Sequence, residues 1–339
     1  MNSLEILYFT DIHDDLKQLR YIVQNSKADL YIFSGDLIYK AFYTEEKLYN
    51  FVELQDRLYS YISKNNLPST PRETALDILK SSNDYDKDIL IDAVEYNILY
   101  KIASSNMKEK YHTIYDLIKK YAKAPVICLP GNYDMNLKYT SLIHHDMHKK
   151  SKIFNNIKFS GYGGAPIVTP GIPENLSVEF LESHNKGKLK SDPLDFFKSQ
   201  LPEIILTHNP AYGTLDKISS YGNTGSFGIR EYIDDYRPAL VLSGHVHEDS
   251  GLLKTGHTLC LNPSNFGGVD SLHGYTEGGY FCRIYLEKDS SVSVKKIEYL
   301  RLKKNQIRPI AMVESGENFT FSEKILNQKE FDIAGGFLR

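Results

Sequence analysis

Five short apolar segments of this chain each end in side chains that can bind a metal ion. Two carboxylates, one amide and four imidazoles stand at these ends: Asp11, His13, Asp36, Asn132, His208, His245 and His247. Oxygen and imidazole ligands without a thiolate suit Mn²⁺, Fe, Zn²⁺ or Ni²⁺ rather than an iron–sulfur cluster. In layered α/β proteins, ligands collect outside the carboxyl ends of the strands. We therefore expect all seven side chains to converge on one edge of the fold.

Seven ligands exceed what one tetrahedral ion needs and contain too few oxygens for calcium. They fit two ions that share a carboxylate. Asp36 is the natural bridge, because it lies apart in sequence from both histidine pairs. Two ions about 3.5–4 Å apart can clamp a phosphoryl group and activate a bridging water. The predicted chemistry is hydrolysis of a phosphoester by that water.

The segments that must position these residues have the sequence patterns of strands alternating with helices. "LEILYF" (4–9) and "DLYIFSGD" (29–36) flank a helical pattern at 14–25, which is typical of a strand–helix–strand unit with parallel strands. The other strand ends belong to "PVICLPGN" (125–132), "EIILTHNP" (203–210) and "ALVLSGHVH" (239–247). The sequence therefore predicts an α/β fold.

Residues 41–121 have a different pattern, with leucine, isoleucine and tyrosine at three- and four-residue spacings. We predict an all-helical insertion with helical segments at 44–62, 86–104 and 108–121, and with a helix start after the break at 67–74. Three roles stay open at this point: a cap that limits substrate size, a homodimer surface, or an elaboration that buries only its own apolar stripe.

The predicted domain organisation is one domain over residues 1–312, followed by a polar tail or arm at 313–339. Within the domain, the core comprises residues 1–40 and 122–312, and the helical insertion occupies 41–121. "HHDMH" places His144 and His148 at i, i+4, which we interpret as one face of a polar surface helix rather than as metal ligands.

Composition narrows the functional class. The net charge is −3 over 339 residues and the basic runs are short, which argues against nucleic acid as a partner. No apolar run approaches the roughly 20 residues that a membrane span needs. Three cysteines do not make a disulfide framework, and the N-terminus lacks a signal-peptide pattern. We expect a cytoplasmic protein.

The combined pattern resembles the calcineurin-like metallophosphoesterase superfamily over residues 4–40 and 124–300. The matching blocks are Asp11-x-His13, Gly35-Asp36, Gly131-Asn132, His208 and Gly244-His245-x-His247. "GYGGAP" (161–166), "THNPAYGTLDK" (207–217), "GNTGSFGIREYID" (222–234) and "LNPS" (261–264) are similar to a branch of small prokaryotic predicted phosphoesterases. The resemblance implies a four-layer α/β/β/α sandwich with the site between two sheets.

By position, the resemblance also implies a ligand set for two divalent metal ions. One ion would take Asp11, His13, Asp36 and His247, and the other Asp36, Asn132, His208 and His245. Members of the family carry Mn²⁺, Fe or Zn²⁺, and we expect Mn²⁺ here. The expected partner is a small phosphoester substrate.

Tyr133 departs from the family pattern. In most members this position holds a histidine that contacts the phosphate and helps to protonate the leaving alkoxide. A phenol, with an ordinary pKa near 10, donates a hydrogen bond at neutral pH but lacks the imidazolium charge. We therefore expect a working phosphodiesterase with an altered leaving-group preference, in which Tyr133 is the candidate catalytic residue.

The alternative is a non-catalytic scaffold or protein-binding module on the same fold. The retromer subunit of the superfamily keeps much of the metal set, has an aromatic residue at this position and works through protein contacts. All seven ligands are present in this chain, however, and a scaffold gains nothing from a costly cluster of buried polar groups. The sequence therefore favours the enzyme.

Overall fold

The structure is a computed structural model that describes residues 2–167, 169–271 and 274–339. The helices are α1 (Leu16–Asn25), α2 (Glu45–Lys64), α3 (Pro71–Lys80), α4 (Lys87–Tyr121), α5 (Asp192–Gln200), α6 (Phe227–Tyr236) and α7 (Gln328–Ala334). The strands are β1 (Asn2–Thr10), β2 (Leu30–Ser34), β3 (Val126–Leu129), β4 (Lys150–Phe154), β5 (Ile157–Tyr162), β6 (Glu182–Asn185), β7 (Lys188–Ser191), β8 (Ile204–Thr207), β9 (Lys217–Ile218), β10 (Gly222–Asn223), β11 (Leu240–Leu242), β12 (Gly251–Thr255), β13 (Thr258–Asn262), β14 (Val269–Ser271), β15 (Gly274–Thr276), β16 (Tyr280–Lys288), β17 (Val292–Lys303), β18 (Gln306–Ser315) and β19 (Phe321–Ile325).

Two large sheets carry the predicted strand ends. The first has seven strands in the order β19-β18-β17-β16-β1-β2-β3, and its members β1, β2 and β3 are parallel. The second has six strands in the order β12-β13-β11-β8-β5-β4, and here β5, β8, β11 and β13 are parallel. Parallel neighbours place their carboxyl ends at the same edge of a sheet, which is where the polar residues follow.

Successive side chains of a strand point to opposite faces of its sheet. Each large sheet therefore packs against helices on one face and against the other sheet on its second face, which gives four layers. In β1, Leu7 lies in a core with helices α1 to α4, whereas Ile6 lies in a second core between the two sheets. In β8, Leu206 belongs to the intersheet core and Ile205 to a third core with α5 and α6. The α/β/β/α sandwich implied by the family resemblance is confirmed.

The segment between β2 and β3 forms the helices α2, α3 and α4. A capping box starts α3: the Thr70 side chain accepts from the Glu73 backbone N–H, and the Glu73 side chain accepts from that of Thr70. The predicted segments 86–104 and 108–121 are one helix of 35 residues. No glycine or proline lies between them, and Met107 is fully buried in the core that the helices share with the first sheet.

The C-terminal segment is paired with the rest of the fold rather than loose. β19 pairs antiparallel with β18 at the edge of the first sheet. Helix α7 is held by Glu330, whose carboxylate accepts from the buried Arg301 guanidinium (2.7 Å) and from Arg308 (3.1 Å). β19 is largely exposed and charged residues hold α7, so apolar periodicity does not reveal either element. The predicted domain bounds stay a prediction.

The segment around His144 and His148 contains turns and isolated bridges instead of the expected surface helix. The His148 Nδ1 atom accepts from the Gly163 N–H at 3.0 Å, and Asp146 accepts from the His148 N–H at 2.9 Å. The segment is a turn followed by two bridge residues, so the i, i+4 spacing does not place the two histidines on one helix face. Across the described ranges, none of the helices combines the length and the apolar character needed to cross a bilayer.

Candidate metal centre

The loops that follow the parallel strands are tied to one another by backbone hydrogen bonds. The Asp11 N–H donates to the Gly35 carbonyl (3.1 Å), and the His13 N–H donates to the Asp36 carbonyl (2.9 Å). In the second sheet, the Gly244 N–H donates to the His208 carbonyl (3.1 Å). The strand ends therefore fix the relative positions of the polar residues before any side chain is considered.

Asp11, His13 and His247 form the first group, in which one potential ligand atom from each residue lies within 4.8 Å of the others. The two histidine Nε2 atoms are 3.5 Å apart. The Asp11 Oδ1 atom lies 3.1 Å from Nε2 of His247 and 3.6 Å from Nε2 of His13. The second Asp11 oxygen accepts from the Thr10 hydroxyl (2.6 Å) and from the His245 N–H (3.1 Å), which orients the carboxylate.

Asp36, His208 and His245 form the second group under the same 4.8 Å limit. The His208 Nε2 atom lies 3.3 Å from Asp36 Oδ2 and 3.0 Å from Asn132 Oδ1, so Asn132 joins this group. The Asn132 amide nitrogen donates to the Thr169 hydroxyl at 2.8 Å, which directs its oxygen toward His208. The structure thus brings together all seven predicted residues, and their role as metal ligands stays a prediction.

The donor set fits divalent cations. Asp11 Oδ1, which faces the two Nε2 atoms of the first group, is buried and has no hydrogen-bond partner in the described part of the chain. A buried carboxylate oxygen without a donor is costly. A bound cation that took this oxygen as a ligand would remove that cost, and carboxylate, amide and imidazole are suitable ligands for first-row divalent metals.

Two glycines allow the ligand loops to approach each other. A Cβ atom on Gly35 would lie 1.9 Å from His208 Nδ1, and one on Gly131 would lie 2.2 Å from Asp36 Oδ1. Both distances are far below van der Waals contact, so no side chain fits at either position. The glycines of the "GD" and "GN" motifs therefore have a steric reason to precede the ligands.

Four of the seven residues have left-handed backbone conformations. Their φ angles are 53° at Asp11, 46° at His13, 43° at Asp36 and 69° at His245. Non-glycine residues in this region cost on the order of 1–3 kcal/mol each and cluster at functional sites. The hydrogen bonds between the loops maintain these conformations.

The pKa values of the Asp11 and Asp36 carboxyl groups are lowered, so both groups are ionised at neutral pH. Burial raises the pKa of Asp11 and of Asp36, but the charges of the facing histidines and their hydrogen bonds, led by His247 at Asp11 and His208 at Asp36, together outweigh burial and lower both pKa values. Burial lowers the pKa of His208, but the charge of Asp36 and its hydrogen bond have a larger combined effect in the opposite direction, and the pKa rises to about 9. For His245, burial followed by the charge of His208 lowers the pKa to about 4. The site thus offers anionic oxygens beside imidazoles.

Tyr133 lies next to both groups. Its backbone N–H donates to Asp36 Oδ1 at 2.8 Å, and its ring centroid lies 6.0 Å from that of His13 and 5.7 Å from that of Tyr39. Burial and, second, the charge of Asp36 raise the pKa of the Tyr133 phenol to about 12. The phenol is therefore a neutral hydrogen-bond donor at neutral pH. Tyr39 was not among the predicted site residues.

Asp134 and Asn262 are further residues that the sequence reasoning missed. The buried Asp134 carboxylate accepts from the backbone N–H groups of Gly131 (2.7 Å) and Leu37 (3.0 Å), so it joins two ligand loops. The Asn262 amide donates to the Val246 carbonyl at 2.8 Å and supports the loop of His245 and His247. Asp134 is two residues after Asn132 in the sequence, and this proximity to a predicted ligand is the only local feature that could have indicated its role.

Comparison with known protein families supports the assignment that the geometry of the site suggests. The model described as calcineurin-like phosphoesterase matches residues 4–249. An uncharacterized protein of Methanocaldococcus jannaschii is 30% identical over 146 residues, which cover 41% of this chain and 63% of the relative. The chain therefore spans less than two thirds of the length of this relative.

One solved structure shares the fold, and two others align with the chain over most of its length. One crystal structure aligns with 94% of this chain and 100% of its own at a TM-score of 0.51 and 12% identity. A conserved uncharacterized protein of Streptococcus pneumoniae, described as a predicted phosphoesterase, aligns over 91% of this chain and 98% of its own (TM-score 0.33, 13% identity). Vacuolar Protein Sorting 29 from Cryptosporidium parvum aligns over 96% and 100% (TM-score 0.36, 11% identity). The last two scores are too low to support a functional conclusion.

Proposed function

The chain belongs to the calcineurin-like phosphoesterase family, and from this premise we propose that it is a metal-dependent phosphoric ester hydrolase. The finer proposal is a phosphodiesterase that acts on a small phosphoester. The observation that carries it is the convergence of the Asp11, His13, His247 group and the Asp36, His208, His245 group at the strand ends of two sheets.

The seven predicted ligands would hold two divalent cations, with Asn132 in the second group and Asp36 shared between the groups. When bound, such cations supply Lewis acidity toward phosphoryl oxygens and lower the pKa of water. The ionised Asp11 and Asp36 supply the negative charge that binds the cations. The Thr10 and Thr169 hydroxyls orient the oxygens of Asp11 and Asn132.

We propose that Tyr133 donates a hydrogen bond to an ester oxygen of the substrate. Its phenol stays neutral at neutral pH, and among the described residues its hydroxyl has no hydrogen-bond partner. The rings of Tyr133 and Tyr39, inclined by 38°, form an aromatic wall beside His13. An aryl leaving group suits this wall, and its low basicity reduces the need for a strong general acid.

The test is a Mn²⁺-supplemented screen of an aryl phosphodiester, an aryl phosphomonoester and a cyclic nucleotide. We expect hydrolysis of the diester, its loss on chelation with EDTA, and its abolition by Asp36→Asn. The matched control is Asp29→Asn, because Asp29 is exposed and lies just before β2, at the other end from Asp36. A Mn²⁺-loaded protein that hydrolyses none of these esters contradicts the proposal and favours the non-catalytic alternative.

The metal and the compartment belong to the same proposal. We propose Mn²⁺ as the working metal and the cytoplasm as the setting. Three buried free cysteines, Cys128, Cys260 and Cys282, support a reducing compartment, because each packs as a small core residue. Metal analysis of protein purified without added cations tests the first point.

A further inference from the structure

Two adjacent residues in the C-terminal half of helix α4 contact the loops of the metal centre. Tyr111 is fully buried, and its hydroxyl donates to Asp134 Oδ1 (2.8 Å) and accepts from the Met135 N–H (2.9 Å). Lys110 donates through Nζ to Asp14 Oδ2 (2.5 Å) and to the Lys40 carbonyl (2.7 Å). The insertion therefore contacts the site through polar bonds and not through apolar packing alone.

The Tyr111 bond reaches two ligand loops through one carboxylate. Asp134 accepts from Leu37 and Ile38 N–H in the loop of Asp36, and from Gly131 N–H in the loop of Asn132. Without the phenol, Asp134 Oδ1 keeps only the 3.3 Å bond from Ile38, and the Met135 N–H loses its acceptor in a buried environment. Tyr111 thus completes the set of hydrogen bonds that fixes the loops of Asp36 and Asn132 relative to each other.

The Lys110 bond reaches the remaining loop of the first sheet. Asp14 directly follows His13, and its Oδ2 atom also accepts from the Tyr39 N–H at 3.2 Å. Lys110 bridges this carboxylate to the Lys40 carbonyl, so it ties the His13 loop to the segment after Asp36. Adjacent helical residues project about 100° apart, so the pair fixes both the position and the rotation of α4 against the loops.

We propose that Lys110 and Tyr111 are positioning residues for the metal ligands and that the insertion is part of the support of the metal centre. The proposal rests on the proposed function only in taking the seven residues as cation ligands. This role differs from that of a cap or a dimer surface, because Lys110 and Tyr111 form hydrogen bonds to the ligand loops themselves. Partners that orient metal ligands typically contribute 10–100-fold to metal affinity.

The test is titration calorimetry of Mn²⁺ into the full-length chain and its variants. We expect Tyr111→Phe to weaken Mn²⁺ binding about tenfold. Tyr96→Phe is the matched control, because Tyr96 is another buried tyrosine of α4 but donates to Glu174, whose carboxylate also accepts from Gln55 and Arg72 and not from a ligand loop. Tyr96→Phe should leave the Mn²⁺ affinity within twofold of the parent.

A second pair of variants keeps the proposal testable if Tyr111→Phe does not fold. Lys110→Met should weaken Mn²⁺ binding, and Lys110→Arg should restore most of it by retaining a donor to Asp14. Equal Mn²⁺ affinity in the parent, Tyr111→Phe and Lys110→Met overturns the proposal, as does an equal loss in Tyr96→Phe. Calorimetry does not depend on turnover, so a protein that binds Mn²⁺ but hydrolyses no ester contradicts the proposed function while leaving this inference in place.

Discussion

His13 Nε2 and His247 Nε2 lie 3.5 Å apart, although 234 positions separate the two residues in the chain. The Asp11 carboxylate, buried and lowered in pKa by His247, lies beside both nitrogens. Two ring nitrogens share at most one hydrogen bond at this distance, so the arrangement is poorly satisfied by protein atoms alone. A divalent cation held by His13, His247 and Asp11 would satisfy both nitrogens and the carboxylate together.

His247→Ala is expected to weaken Mn²⁺ binding at least tenfold, because it removes one of the two facing nitrogens of the first group. Titration calorimetry measures the affinity. His257→Ala is the control, since His257 is exposed and lies in the turn between β12 and β13. Equal affinities for the two variants would remove His247 from the ligand set.

Gly131→Ala is expected to abolish tight Mn²⁺ binding and to destabilise the fold. The added methyl would lie 2.2 Å from Asp36 Oδ1, so the carboxylate or the loop must move, and overpacking of this kind costs about 1–3 kcal/mol. Gly256→Ala is the control because no atom lies within 4 Å of its added methyl, although its φ of +60° adds backbone strain. Calorimetry and thermal unfolding distinguish a lost site from strain alone.

Tyr133→His is expected to raise the rate on esters with poor leaving groups by about 10²-fold or more, since general acid catalysis typically contributes 10²–10⁴-fold. The measurement is kcat/KM for an alkyl and an aryl phosphodiester in Mn²⁺. Tyr133→Phe, which lacks any donor, should lower both rates. An unchanged alkyl rate in Tyr133→His would mean that the phenol already assists or that another step limits turnover.

Stability should fall as the pH drops from about 6.5 to about 4, in part through His148. Burial, followed by the charges of Lys149 and Lys150, lowers the pKa of His148 from 6.5 to about 4. The unfolded chain therefore binds the proton first, and stability present above pH 6.5 is lost on the way down to pH 4. The difference between the pKa of His148 in the unfolded chain and in the folded protein corresponds to at most about 3 kcal/mol in the free energy of unfolding.

Chemical denaturation at pH 7 and pH 4.5 tests this contribution. His148→Gln should reduce the difference in the free energy of unfolding between the two pH values, because glutamine can still accept from the Gly163 N–H without titrating. His112→Gln is the control, since His112 is exposed on α4. The same pH dependence in both variants would contradict the assignment to His148.

The sequence was sufficient to predict the fold class, the family and the convergence of the ligand residues. Each apolar strand is followed directly by its polar residue, as in Ser34-Gly35-Asp36, and parallel strands bring such ends to one edge. The supporting contacts could not be predicted, because they join distant positions. Nothing in the local pattern around Tyr111 indicates that its hydroxyl bonds to Asp134.

The C-terminal elements were missed for a different reason. Pattern reasoning detects apolar periodicity, but β19 lies at a sheet edge and α7 is held through the Glu330 to Arg301 ion pair. The helix from Lys87 to Tyr121 is continuous where two segments were expected, and its buried positions keep three- and four-residue spacings from Ala93 to Ile118. A homodimer through the insertion stays a prediction, which light scattering on the full chain can test.

The predicted ligands come from both sheets: Asp11, His13, Asp36 and Asn132 follow strands of the first, and His208, His245 and His247 follow strands of the second. A cation held by both sets would act as a removable crosslink between the two layers, in addition to the apolar core and the hydrogen bonds that already join them. Since a ligand at 100 times its dissociation constant adds about 2.7 kcal/mol to folding stability, metal supply would set how long the folded chain persists. Starvation for the cation would then lower the amount of the protein as well as its activity.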